Sequence, residues 1–299
     1  MKKRQKKYSA IILALTLAFT SMFAVPVMAE TNSASQTATT AGTQTTNSTK
    51  LTQAQKEAAA VKQYGTYKGK NATKIPVITY HYVVSDRQKR SGQFSGSSLA
   101  VSRSAFESQM KWLKKNGYRT ISCEEFYLWY KGKIKLPPKS ILITFDDGYN
   151  CVVQQALPVL SKYKMKGTMF IVGYWSYYGK NDTVSMKTMA KVRRQYPNLE
   201  FQSHTWNMHT PNKSRYGFYI TRRDAKNQKK VNGFEYLAYP YGRNNSGMIR
   251  AYKDTGIKLA FTYGNYGSGF ATRKQNIYRI RRIKIAGGDS LSTFVKKIR

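Results

Sequence analysis

Ile141-Leu142-Ile143-Thr144-Phe145-Asp146-Asp147-Gly148-Tyr149 is the stretch on which the reading of this chain turns. A short apolar run lies between Pro137-Pro138 and Gly148, the pattern of a strand buried on both faces. Two adjacent carboxylates follow at its carboxyl end, where α/β sheets and barrels build their sites. An Asp-Gly pair after a strand is also ordinary turn chemistry. The stretch therefore takes its meaning from what surrounds it.

Downstream, apolar periodicity predicts a helix over 152–163, with Leu157, Leu160 and Tyr163 aligned, and then a strand over 167–172. Helices at 186–194, 222–231, 248–253 and 291–297 are interleaved with strands at 199–203, 234–239, 258–262 and 277–285. Upstream lie a strand over 75–82, a helix over 104–114 that ends at Asn116-Gly117, and a short strand over 119–122. A helix through Phe126 and Trp129 follows. This alternation predicts an α/β fold, a distorted parallel (β/α) barrel of about seven strands.

Residues 1–29 have the form of a secretory signal. Lys2, Lys3, Arg4, Lys6 and Lys7 precede an apolar run from Ala10 to Val25, and Val27-Met28-Ala29 is a small-residue cleavage site. The run is short for a membrane span, so removal is predicted, leaving no stable span. The composition then collapses to Thr, Ser, Ala, Gln and Asn, which predicts a linker over 30–68. Residues 69–299 suffice for one domain with a single core.

The chain carries 51 basic and 14 acidic residues, a net charge of +37. Loss of the five basic residues of the leader leaves about +32, a field that attracts polyanions. Export argues against nucleic acid as the partner. It favours anionic wall polymers and an extracellular, wall-associated location. Cys123 and Cys151 are the two cysteines, and in an exported protein they can pair as one disulfide.

The three histidines are His81, His204 and His209. Each falls at or just past the end of a predicted strand, as do Asp146 and Asp147. Parallel strands would bring all five side chains to one rim. Five positions on an α-helix turn through about 500°, which would splay His204 and His209 apart. They share a ligand only if Ser203-His204-Thr205-Trp206-Asn207-Met208-His209 is a loop or tight turn. Two neutral imidazoles and a carboxylate suit a divalent transition metal with open positions for water and substrate.

Thr144-Phe145-Asp146-Asp147-Gly148-Tyr149, and Ser203-His204-Thr205 with His209, resemble the signature of polysaccharide deacetylases, the carbohydrate esterases with a NodB homology domain. Leu157-Pro158-Val159-Leu160, the 167–173 segment and Ala238-Tyr239-Pro240-Tyr241-Gly242 extend the resemblance over roughly 75–299. It implies Asp146 as catalytic base and Asp147, His204 and His209 as metal ligands. The Tyr241 backbone N–H would then serve as an oxyanion donor. Two departures stand out. Ala238 occupies a position where many members carry arginine, and no histidine follows His209. The pattern is closer to the members acting on poly-N-acetylglucosamine, whose early Tyr-His segment is matched by Thr79-Tyr80-His81-Tyr82-Val83. On that resemblance His81 becomes the general acid and Arg282 takes over the steering of Asp146, with Arg279 and Arg281 as alternatives.

The implied reaction is hydrolysis of N-acetyl groups on an extracellular or cell-wall polysaccharide. Its metal is zinc first, with cobalt, nickel and iron open. Such a reaction needs an acidified water, a base to take its proton, a donor for the oxyanion and an acid for the departing amine. The residues named fill those roles with none left over. Neighbouring acids do not suit a glycosidase, whose carboxyl pair stands about 5–9.5 Å apart across the bond. Two further readings are a non-catalytic wall- or glycan-binding protein on the same fold and a two-His-one-carboxylate iron oxygenase. Trp175, Tyr177, Tyr178, Trp206, Tyr263 and Tyr266, in predicted loops, are candidates for stacking on sugar rings.

Overall fold

The computed structural model describes residues 51–210 and 216–299. The expected signal segment and most of the 30–68 linker lie outside that range. Its centre is a curled parallel sheet of seven strands: β1 (Val77–Tyr80), β2 (Ser140–Phe145), β3 (Gly167–Ile171), β4 (Leu199–Ser203), β5 (Tyr236–Ala238), β6 (Leu259–Phe261) and β7 (Ile283–Lys284). Their order is β6-β5-β4-β3-β2-β1-β7, and Arg119–Thr120 adds a parallel pairing to the start of β2. This is the distorted (β/α) barrel that the alternation of elements predicted.

All six residues of β2 are buried. An unbroken apolar run is what a strand covered on both faces requires. Helices Arg103–Lys115 and Asn150–Lys162 cover one side, placing Phe106, Met110, Leu157 and Leu160 in a cluster with Ile143 and Phe145. Helices Phe218–Asn232 and Ser246–Asp254 share another cluster, in which Ala225, Met248 and Tyr252 gather with Met208. That cluster anchors the segment bearing two of the histidines.

Four expectations are corrected. The strand expected over 277–285 shrinks to Ile283–Lys284. The segment before it hydrogen-bonds to β6 (Ala260 N–H to Ile277 O, Ile280 N–H to Ala260 O), and Ile283–Lys284 then pairs with β1. Changing partners forbids one regular ladder. The strand expected over 75–82 divides into Lys74–Ile75, β1 and Tyr82–Val84, no two of which share a neighbour.

The stretch expected to be linker up to residue 68 contains a helix, Gln53–Tyr64, begun by a capping box between Thr52 and Gln55. Ala60, Val61 and Tyr64 pack against the core. Cys123 and Cys151 are both free and buried in separate clusters, so the disulfide expectation is not met. Burial raises both thiols, Cys151 to about 11.

Candidate active site

Because the strands are parallel, their carboxyl ends open on one rim. Tyr80 is followed by His81, Phe145 by Asp146 and Asp147, Ser203 by His204, and Ala238 by Tyr239-Pro240-Tyr241. Neighbours on a strand point to opposite faces, so the paired acids need a break in the backbone. Asp147 supplies it with φ 70°, and Gly148 continues at φ 82°. Aspartate is among the few side chains that tolerate this left-handed region. At Gly148 a Cβ would stand 3.0 Å from Ile171 Cγ2 as well, so glycine is required twice over.

Asp147 is buried and faces both later histidines. Its Oδ1 lies 3.3 Å from His204 Nε2 and 2.9 Å from His209 Nε2, yet makes no hydrogen bond. His204 Nδ1 lies 2.8 Å from the Ala238 carbonyl, which can only accept. In the neutral ring Nδ1 therefore carries the proton, and the Nε2 lone pair is turned on the carboxylate. Acceptors facing one another in a buried pocket call for a positive charge between them. The ligand atoms of Asp147, His204 and His209 all lie within 4.8 Å of one another, a donor set that fits a divalent transition metal.

Asp146 is buried beside it and held from below. Arg282 Nη1 and Nη2 donate to Oδ1 and Oδ2, each at 2.7 Å. Arg282 is itself fully buried, and its Nε donates to the Thr262 carbonyl at 2.9 Å. Its Nη1 also reaches Thr79 Oγ1 at 3.2 Å, and Thr79 stands opposite Thr144 in the β1–β2 register. Burial raises the Asp146 pKa, but Arg282, with His204 and His81, turns the net shift downward. Of the three arginines open in the sequence reading, it is Arg282 that meets this carboxylate. Arg279 Nε instead donates to Asn244 Oδ1.

His81 sits against Tyr263, ring centroids 5.3 Å apart, and its buried Nδ1 has no partner among the described residues. Burial lowers its pKa, against the pull of Asp147 and Asp146. Tyr241 adopts φ 57° at the rim, with its hydroxyl 3.4 Å from His209 Nδ1. Trp175 packs on His209 from another side, centroids 4.6 Å apart. Trp175, Tyr177 and Tyr178 belong to a short helix, Gly173–Tyr178, where a loop was expected.

The sequence reading missed the Ala238 carbonyl and Asp224. The Ala238 carbonyl, a backbone group that no side-chain pattern reveals, orients His204 through Nδ1. Asp224 leaves a faint signal: Thr221, Asp224 and Gln228 recur at helical spacing in an otherwise lysine- and arginine-rich helix, and all three are buried.

The polysaccharide deacetylase family profile matches residues 133–260, a span containing Asp146, Asp147, His204, His209 and Tyr241 but neither His81 nor Arg282. A Bacillus subtilis protein provisionally named as polysaccharide deacetylase YxkH is 32% identical over 238 residues, 76% of this chain and 77% of that protein. The poly-beta-1,6-N-acetyl-D-glucosamine N-deacetylase of Staphylococcus aureus is 32% identical over 222 residues, 67% of this chain and 72% of the other. Among solved structures, the Streptococcus pyogenes deacetylase PplD in complex with acetate superposes with a TM-score of 0.65 at 24% identity. The match covers 76% of this chain and 99% of that one. The chain belongs to the polysaccharide deacetylase family.

Proposed function

We propose that this protein is a secreted, metal-dependent deacetylase that removes N-acetyl groups from an extracellular N-acetylglucosamine glycan. The observation that carries the reading is the convergence of Asp147, His204 and His209 beside the Arg282-held carboxylate of Asp146. The name of the Staphylococcus aureus relative supports the substrate class. Residues 1–29 would be the export signal, the following stretch up to the start of the first helix a spacer, and the remainder the deacetylase domain. The net charge of about +32 left after loss of the leader's five basic residues supports retention at an anionic wall.

Held by Asp147, His204 and His209, a divalent cation would polarise the acetamide carbonyl and lower the pKa of a water toward ~7. Asp146 is the base. A carboxylate oxygen has two lone pairs, so the bidentate bonds to Arg282 leave one on each oxygen to accept the water's proton. Its depressed pKa keeps it ionised at neutral pH. His81 is neutral at rest because burial lowers its pKa, so the proton it delivers to the departing amine is balanced by the one Asp146 takes from the water. The Tyr241 N–H is assigned to the oxyanion, where one such donor is worth roughly 3–4 kcal/mol.

The test is acetate release from a panel of acetylated glycans, with and without a chelator. Poly-N-acetylglucosamine should be deacetylated, ahead of peptidoglycan, chitin fragments or O-acetylated xylan, and chelation should stop the reaction. D146N should lose ~10²–10⁴-fold in rate while still binding metal. Glycan binding with no acetate released under any metal would overturn the enzymatic reading in favour of a binding protein.

A further inference from the structure

The loop from His204 to His209 has no regular structure, yet a partner is visible for each N–H from His204 to Met208. His204 N–H donates to Ile171 O at 2.7 Å, Thr205 N–H to Ser203 Oγ at 3.1 Å and Met208 N–H to Thr205 Oγ1 at 3.2 Å. The two between them go to a single side chain from another element. Trp206 N–H donates to Asp224 Oδ1 at 2.8 Å and Asn207 N–H to Asp224 Oδ2 at 2.7 Å. The carbonyls of Thr205 and Trp206 are tied as well, to the Gly173 and Tyr174 N–H groups.

Thr205 carries φ 70°, a left-handed conformation costly for a β-branched residue. It persists only where the surroundings over-determine it. Asp224 stands at the middle of those surroundings. It is 7% exposed and has no ion-pair partner among the described residues. A lone buried carboxylate is expensive, and here it spans the backbone between the two histidines that face Asp147.

We propose that Asp224 is a positioning residue: by gripping the N–H groups of Trp206 and Asn207, it sets the turn that aims His204 and His209 at one cation. The inference rests on the metal-site reading above. Gln228, one turn further along the same buried face, donates to Ile171 O at 3.4 Å and supports the strand end from which the loop is hung. Outer partners that orient ligands typically govern metal affinity by 10–100-fold.

Zinc affinity of the chelator-stripped full chain, with cobalt(II) absorption as a geometric readout, tests this apart from turnover. D224N keeps the size but sets an amide against one N–H; it should weaken zinc binding 10–100-fold and alter the cobalt spectrum. L113A serves as a destabilised control. It opens space under helix Arg103–Lys115, in a cluster that contains neither Met208 nor Ala225, and leaves both Asp224 hydrogen bonds, so zinc affinity should stay within twofold of wild type. Should D224N fail to fold, D224E, which keeps the charge on a longer arm, should show the same loss. Unchanged affinity in the folded Asp224 variant, or an equal loss in L113A, overturns the positioning role. No zinc binding by the unsubstituted chain overturns the metal reading, and this inference with it.

Discussion

Arg282 grips Asp146 through both terminal nitrogens, oxygen for oxygen, with neither residue reachable by bulk solvent. The pair is a finding about rank as well as contact. Asp147 next door faces imidazoles, while Asp146 faces a permanent cation, so two chemically identical neighbours sit in different surroundings, as the proposed division into ligand and base requires.

Replacing the fork with a point charge should show this. R282K keeps the positive charge but cannot match a carboxylate bidentately. Arg282 lowers the Asp146 pKa, so weakening its grip raises it, and the acidic limb of the kcat/KM profile should move to higher pH. R282Q leaves a buried carboxylate uncompensated and should cost on the order of 3–5 kcal/mol of stability, read by denaturant unfolding. An unshifted acidic limb in R282K would show that Asp146 is not the group titrating there.

Metal removal should be visible without any substrate. If Asp147, His204 and His209 hold the cation, free metal at 100 times its Kd should stabilise the fold by about 2.7 kcal/mol. The rise in Tm should vanish with chelator and in H204A or H209A. An equal rise in those variants would place the binding elsewhere.

Tyr177 and Tyr178 present 56% and 54% of their surface to solvent on the helix that also carries Trp175. Stacking on a sugar ring is the role proposed for them. Y177A with Y178A should raise KM for a polymeric glycan several-fold while kcat holds, the signature of lost uniform binding. Short oligosaccharides should feel it less. Equal KM values would return these rings to ordinary surface.

Asp224 has a pKa raised to about 6, chiefly by burial, against its two N–H donors. A carboxyl whose pKa is higher folded than unfolded favours the fold below its unfolded value, near 3.9, and loses that contribution as pH climbs through about 6. The shift of about two pH units corresponds to roughly 3 kcal/mol. Stability of the wild type relative to D224N should therefore decline between about pH 4 and pH 6. A constant difference across that window would contradict the raised pKa.

Much of the barrel was legible because its strands are buried on both faces and write themselves as unbroken apolar runs, Ile141 to Phe145 above all. The acids and histidines were legible because strand ends in a parallel sheet share a rim. Three things were not. The 277–285 segment has strand-like residues but divides its hydrogen bonds between β6 and β1, a tertiary fact with no local trace. Gln53–Tyr64 has little hydrophobic contrast and was absorbed into the polar stretch before it, although Thr52 and Gln55 form its capping box. Asp224 was hidden because one acid in a basic helix reads as solvated surface until the loop it holds is seen.

Thr79 and Arg282 touch across 203 positions of sequence. The guanidinium that holds Asp146 thus leaves the ribosome after every other named residue of the rim, while His81 is the first of them to appear. A growing chain would carry all the other pieces of the proposed site before the one that fixes Asp146. Nonsense products ending anywhere short of Arg282 should be inert, however much barrel they contain.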